Sequence, residues 1–102
     1  MININLPFYF MHKIIQNSID DLNKALPKKK KIINEDTFLL IDKKSNLDSI
    51  DLVNLFVILE KNLKKEKNLT LTFDTLLKDI DELKTIGTLK SYLYKKIKND
   101  EQ

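Results

Sequence analysis

The chain has 102 residues, 42% of them hydrophobic, and no cysteine. This length predicts one small domain with a single core over residues 1–102, with its ordered part at about residues 6–98. The lack of cysteine excludes disulfides, thiolate metal sites and thiol nucleophiles, and His12 is the one histidine available for a catalytic pair. We therefore expect neither catalysis nor a metal site in this chain.

The formal net charge is +3, and all eighteen basic residues are lysine. Lysine lacks the planar, bidentate donor with which arginine reads guanine or clamps phosphate, so nucleic acid is not an expected partner. The lysines form three clusters, and solvated faces are favoured over an anion-binding surface for lipid or nucleic acid. The clusters are residues 28–31; Lys61, Lys64, Lys65 and Lys67; and Lys95, Lys96 and Lys98.

The apolar run at residues 6–11 is too short to span a bilayer. No basic residue precedes it, as one would in a signal peptide. We therefore expect no membrane span and a cytoplasmic protein.

The first predicted element is an amphipathic helix over residues 8–26. Pro27 and the lysines that follow it end this helix, because proline disfavours a helical residue before it and adjacent like charges repel. The apolar face repeats at helical spacing through Met11, Ile15, Ile19, Leu22 and Leu26.

Residues 28–48 are predicted to form a long connection between the first two helices. Long ordered connections in compact domains are more often functional than incidental. Apolar side chains could pin this one to the core, namely Ile32, Ile33, Phe38, Leu39, Leu40 and Ile41.

The second predicted helix covers residues 49–64 and carries two apolar stripes. One stripe should face the core, whereas the other is a surface for a partner or a contact with the long connection. The core stripe is Leu52, Leu55, Phe56, Leu59 and Leu63, and the second stripe is Ile50, Val53 and Val57.

The C-terminal third of the chain predicts two shorter helices after an extended segment at residues 69–73. The third helix is marked by Leu76, Leu77, Ile80 and Leu83. The fourth is marked by Ile86, Leu89, Leu93 and Ile97, with Thr85 as its cap and Gly87 as mild evidence against an unbroken helix. The predicted fold class is therefore all-α, a small four-helix bundle.

The start of the second helix is the most informative segment. It reads Asn-Leu-Asp-Ser-Ile-Asp-Leu-Val over residues 46–53, so that Ser49 lies between two aspartates where a loop meets an apolar helix. Asp48 or Ser49 would serve as N-cap, and Asp51 in the first turn suits the helix dipole. A serine in this position can also be exposed and modified.

This segment resembles the acyl carrier protein family, with its peptidyl and aminoacyl carrier relatives. The likeness covers Ile-Asn-Glu-Asp-Thr-Phe-Leu-Leu at residues 33–40 and the run Asn-Leu-Asp-Ser-Ile-Asp-Leu-Val-Asn-Leu-Phe-Val-Ile-Leu-Glu at residues 46–60. It continues less sharply through Asp-Glu-Leu-Lys-Thr-Ile-Gly-Thr-Leu at residues 81–89. With the amphipathic first helix it spans nearly the whole chain, and it aligns Ser49 with the family's phosphopantetheine attachment site.

The resemblance implies a carrier that holds acyl or aminoacyl groups as thioesters on a 4′-phosphopantetheine arm. The arm is covalent, comes from coenzyme A and is attached to Ser49 by a phosphopantetheinyl transferase. The implied partners are that transferase, a loading enzyme and downstream enzymes of fatty acid, polyketide or nonribosomal peptide biosynthesis. A monomer is expected, since such a shuttle visits several enzymes.

The resemblance also implies which residues partners recognise. Asp48 and Ile50 belong to the family's recognition surface, and Val53 and Val57 extend its apolar part. The family's second helix is strongly acidic, whereas this chain has Asn54 and Lys61 at positions that are commonly acidic and keeps Asp48, Asp51 and Glu60. Asn46 replaces the usual glycine before the motif, and asparagine also tolerates positive φ.

The charge departures predict a specialised carrier with its own enzymes. The alternative is a carrier-fold helical module that has lost the arm and binds a partner protein through Ile50, Val53 and Val57.

Overall fold

Four α-helices account for most of residues 5–100, the part of the chain that the computed structural model describes. They are α1 (Leu6–Asn23), α2 (Ser49–Lys67), α3 (Phe73–Lys78) and α4 (Ile86–Asp100), with short 3-10 turns at Lys28–Lys30 and Ile80–Glu82. The predicted all-helical class, with a long connection between the first two helices, is confirmed. The predicted ordered part, about residues 6–98, lies within the described range, whereas residues 1–4 and 101–102 lie outside it.

The first helix begins and ends earlier than predicted. Asn5 caps it by accepting a hydrogen bond from the Phe8 N–H at 3.2 Å, and Pro7 fits the first turn, where no amide partner is needed. At the other end, the Asn23 side chain hydrogen-bonds both the N–H and the carbonyl of Ile32, at 2.8 and 2.9 Å. This double contact turns the chain into the connection, although Leu26 beyond the helix is still buried.

The two longest helices, α1 and α2, are antiparallel neighbours. Lys13 near the start of α1 pairs with Glu66 near the end of α2 at 3.0 Å, and Asn62 donates to the buried Ser18 hydroxyl at 2.9 Å. α4 also packs against α1. Ser49 therefore lies at the end of the molecule where α1 finishes.

One hydrophobic core collects residues from all four helices and from the connection. Burial of this apolar surface is the main stabilising term, at roughly 25 cal/mol per Å² removed from water. Its least exposed large side chains are Phe56, Ile14, Ile15, Leu40, Leu55, Leu59, Leu63, Leu76, Leu83, Ile86, Leu89 and Leu93.

The connection, residues 24–48, is tied to the start of α4. The Leu40 N–H donates to the Lys84 carbonyl at 2.8 Å, and the Ile86 N–H donates to the Phe38 carbonyl at 3.0 Å. Leu40 is fully buried, as predicted for an anchoring residue. The prediction was wrong for Ile33, which is 55% exposed.

Gly87 does not interrupt α4, contrary to the mild expectation of a break. Its absent side chain serves packing, since a Cβ at this position would lie 3.0 Å from the Asp36 carbonyl oxygen and 3.1 Å from the Asp36 Cβ. The Gly87 N–H also donates to that carbonyl at 2.9 Å. Glycine thus lets the connection approach the helix backbone closely. Thr85 caps the helix as predicted, by accepting from the Thr88 N–H at 3.1 Å.

The predicted third helix is divided in two at Asp79. α3 starts with Thr72 as N-cap and ends at Lys78, and the 3-10 turn follows. Tyr92 of α4 donates its hydroxyl to the Asp79 carboxylate at 2.6 Å, and burial together with this bond raises the pKa of Tyr92. The hydrogen bond from α4 therefore reaches the residue at which α3 ends and the 3-10 turn begins. Across the described residues, no helix has the length and apolar character needed to cross a membrane.

Candidate functional site at the start of α2

A capping box holds the beginning of α2. The Asp51 N–H donates to Asp48 Oδ1 at 2.9 Å, and the Asp48 N–H donates to Asp51 Oδ2 at 3.0 Å. Each carboxylate thereby satisfies a backbone donor that the helix leaves without a partner. Of the two N-caps considered from the sequence, the structure selects Asp48, and Ser49 becomes the first helical residue.

Ser49 is exposed. Within residues 5–100 its hydroxyl takes part in no hydrogen bond. An exposed hydroxyl without a hydrogen bond to the described residues can be reached by an enzyme from outside. Its place at a helix N-terminus also suits an anionic group on Oγ, because free backbone N–H groups and the helix dipole favour negative charge there.

Lys30 joins the long connection to this helix start. Its Nζ lies 3.2 Å from Asp48 Oδ2 and 3.1 Å from Asp51 Oδ2. Asn46 supports the same turn by donating to the Lys29 carbonyl at 3.3 Å. The role of Lys30 was not predicted from the sequence. Lys30 belongs to a run of lysines, and such a run predicts a solvated face.

The pKa values at this cluster are shifted in the directions that ion pairing predicts. The Asp51 N–H, and after it Lys30, lower the pKa of Asp48 below its usual 3.8. Hydrogen bonds to Asp51 and then Asp48 raise the pKa of Lys30. Asp48 and Lys30 therefore both stay ionised throughout the neutral range.

The second apolar stripe of α2 is open to solvent. Ile50 is 69% exposed, Val53 41% and Val57 50%. On the opposite side of the helix, Leu55 and Phe56 are at most 1% exposed. The connection therefore does not cover these three side chains. Of the two alternatives for this stripe, burial under the connection is excluded, and a surface for a partner remains.

The remaining predicted recognition residues divide into two groups. Asn54 and Lys61 are exposed along α2. Asp51 is buried in the capping box, and Glu60 accepts a hydrogen bond from the Phe73 N–H at 3.2 Å, which ties α2 to the first turn of α3. Asp51 and Glu60 thus have structural partners inside the chain.

The lysine clusters lie on different elements. Lys28 and Lys29 are exposed on the first 3-10 turn, the second cluster ends α2, and the third lies on α4. A groove of about 910 Å³ runs between α1 and α4, and its lining includes Lys90, Lys95 and Lys98 around Phe8 and Tyr94. No residue of α2 lines it, so it is separate from Ser49.

The Asp48 cap predicts a specific response to acid. A carboxyl whose pKa is lower in the folded than in the unfolded chain adds stability above its unfolded pKa, and this stability is lost as pH falls through the folded value. In Asp48→Asn the amide still caps the helix but does not titrate. We expect the thermal midpoint of the native chain to fall more steeply than that of Asp48→Asn below about pH 4. Circular dichroism melts from pH 7 to pH 2 measure this difference, and parallel curves would contradict it.

Comparisons with protein-family models, with curated proteins and with solved structures find no match.

Proposed function

We propose that this chain is an acyl carrier protein that holds acyl or aminoacyl intermediates as thioesters on a 4′-phosphopantetheine arm at Ser49. The observation that carries the proposal is the exposed, unbonded Ser49 hydroxyl at the start of α2, directly beside an exposed apolar stripe. The resemblance at residues 46–60 supports the same residue as the attachment point. The four-helix bundle with its long first connection fits a carrier.

Arm attachment would use the geometry of this helix start. Ser49 Oγ forms a bond to the phosphorus that bears the pantetheine portion of coenzyme A, and the pyrophosphate P–O bond breaks. The adenosine bisphosphate portion leaves, and the serine proton passes to a base of the transferase. The product places a phosphodiester at the helix N-terminus, where an anion is favoured.

The chain's own residues would position and present the arm. The capping box of Asp48 and Asp51 fixes the first turn, so that Ser49 points from a rigid element rather than from a loop. Ile50, Val53 and Val57 offer an apolar contact to the enzymes that load and process the cargo, and exposed apolar area of this kind marks interaction sites. The proposed protein is a cytoplasmic, monomeric shuttle.

Intact mass spectrometry tests the proposal. The protein is purified from its own cells, and a sample is incubated with coenzyme A, magnesium and a broad-specificity phosphopantetheinyl transferase. We expect a mass increase of one phosphopantetheine group, mapped by fragmentation to Ser49. The absence of any increase in both samples, under conditions in which a known carrier is fully modified, would contradict the proposal.

The exposure of Ile50, Val53 and Val57 also favours the second candidate, a helical interaction module without the arm. Such a module needs the same apolar surface but no reactive serine. An unmodified protein from its own cells that still binds a partner through this stripe is the result that the second candidate requires.

A further inference from the structure

The ion cluster beside Ser49 leaves no free anionic group inside the capping box. Asp48 and Asp51 face one another's backbone N–H groups, and both share the Lys30 ammonium at 3.1–3.2 Å. Asp51 has only 12% of its side chain exposed, whereas Asp48 has 58%. A cationic group on a partner could therefore reach Asp48, but it would have to compete with Lys30 for that carboxylate.

The segment that supplies Lys30 is strongly basic. Residues 28–31 contribute four lysines, and the two aspartates neutralise only part of this charge. Lys28 and Lys29 are exposed, and Lys31 donates to the Asn23 carbonyl at 2.6 Å, which leaves its charge unneutralised. A partner that approaches Ser49 thus meets a helix start whose exposed carboxylate, Asp48, is already paired with a lysine.

We propose that Lys30 determines which enzymes can act on Ser49, because it withholds Asp48 from cationic docking groups and favours a partner that brings carboxylates to the lysines of residues 28–31. The inference concerns the site of the proposed function and rests on that function only for its enzymatic test. Opposite charges across an interface mainly set the rate of encounter and exclude wrong partners, which is the effect assigned to Lys30. Its partner is an enzyme with an apolar contact and an acidic border.

A cationic peptide tests the shielding without any enzyme. Hexa-arginine peptide is titrated into the isotope-labelled full chain while the amide signals of residues 48–51 are followed by NMR. We expect Lys30→Met to bind the peptide at these residues roughly tenfold more tightly than the native chain, with the gain lost at high salt. Equal responses of the two proteins at residues 48–51 would overturn the inference, whether or not Ser49 is ever modified.

Two further variants separate shielding from general damage to the fold. Lys30→Arg keeps a cation on both aspartates and should behave as the native chain. Lys13→Met removes the lysine of the ion pair with Glu66, 3.0 Å long and at the opposite end of α2, and should add no binding at residues 48–51. If Lys13→Met produces the same gain, net charge alone explains the effect and the assignment to Lys30 is wrong.

The enzymatic test uses a broad-specificity transferase whose docking surface is basic. Lys30→Met should raise kcat/KM for modification of Ser49 on the order of tenfold, mainly through a lower KM. Adding Asp48→Asn to Lys30→Met should cancel the gain, because the freed carboxylate is its cause. A gain that persists without Asp48, or no gain, would overturn the inference. Failure of every protein to be modified, native chain included, would instead contradict the proposed function, while the peptide titration still decides the role of Lys30.

Discussion

Replacing Ser49 with alanine is expected to abolish attachment of the arm while leaving the fold intact. The change removes the nucleophilic oxygen, and no other group of the cap can form the phosphodiester in its place. The structural cost should be small, because Ser49 is exposed, its hydroxyl bonds to no described residue, and alanine is favourable at a helical position. Intact mass after incubation with coenzyme A and the transferase should show no increase.

Ser91→Ala supplies the matched control for this experiment. Ser91 is also exposed and helical, but it lies on α4, away from the start of α2. We expect this variant to gain the same mass as the native chain and both alanine variants to melt within about 2 °C of it, as for a surface substitution. Labelling of Ser49→Ala to the native extent would show that the arm is attached elsewhere.

The helices could be predicted because their apolar residues repeat at helical spacing. In α2 the spacing also distinguished the core face from the exposed face. Phe56, predicted on the core face, is 1% exposed, and Ile50, predicted on the second stripe, is 69% exposed. That distinction needs only local sequence, because neighbouring positions on a helix point about 100° apart. The start of the helix was equally local, as the cap and its partner are three residues apart.

Contacts between distant segments could not be predicted in the same way. Lys30 meets the aspartates across 18 and 21 residues, and Gly87 meets Asp36 across 51. In its local sequence, Lys30 looks like any solvated lysine, and Gly87 looks like a glycine that weakens a helix. Their roles depend on where the connection crosses the bundle, which single-sequence periodicity does not contain.

The same limit explains the error at Ile33. Its neighbour Ile32 is 4% exposed, and Asn23 fixes that residue in place through both backbone groups. An extended chain directs successive side chains to opposite sides, so anchoring Ile32 turns Ile33 outward. Both isoleucines are predicted from the sequence to anchor the connection because both are apolar. The direction of the backbone lets only Ile32 reach the core.

Replacing Phe56 with alanine is expected to lower the free energy of unfolding by about 3–5 kcal/mol. Phe56 is 1% exposed and its ring lies 6.4 Å from that of Phe73, so its removal leaves a cavity between α2 and the start of α3. A loss of this size is a large part of the roughly 5–15 kcal/mol available to a domain of this length. Urea unfolding, followed by circular dichroism with the slope held common, measures the change.

Val57→Ala, one residue further along the same helix, is the control. Its side chain is half exposed, so we expect a change within about 0.5 kcal/mol, with the better helix propensity of alanine offsetting the lost contacts. Should Phe56→Ala be too unstable to measure, Phe56→Leu should show a smaller loss in the same direction. Equal effects at positions 56 and 57 would contradict the assignment of Phe56 to the core face of α2 and of Val57 to its exposed face. The assignment of the exposed face to partners would then be wrong as well.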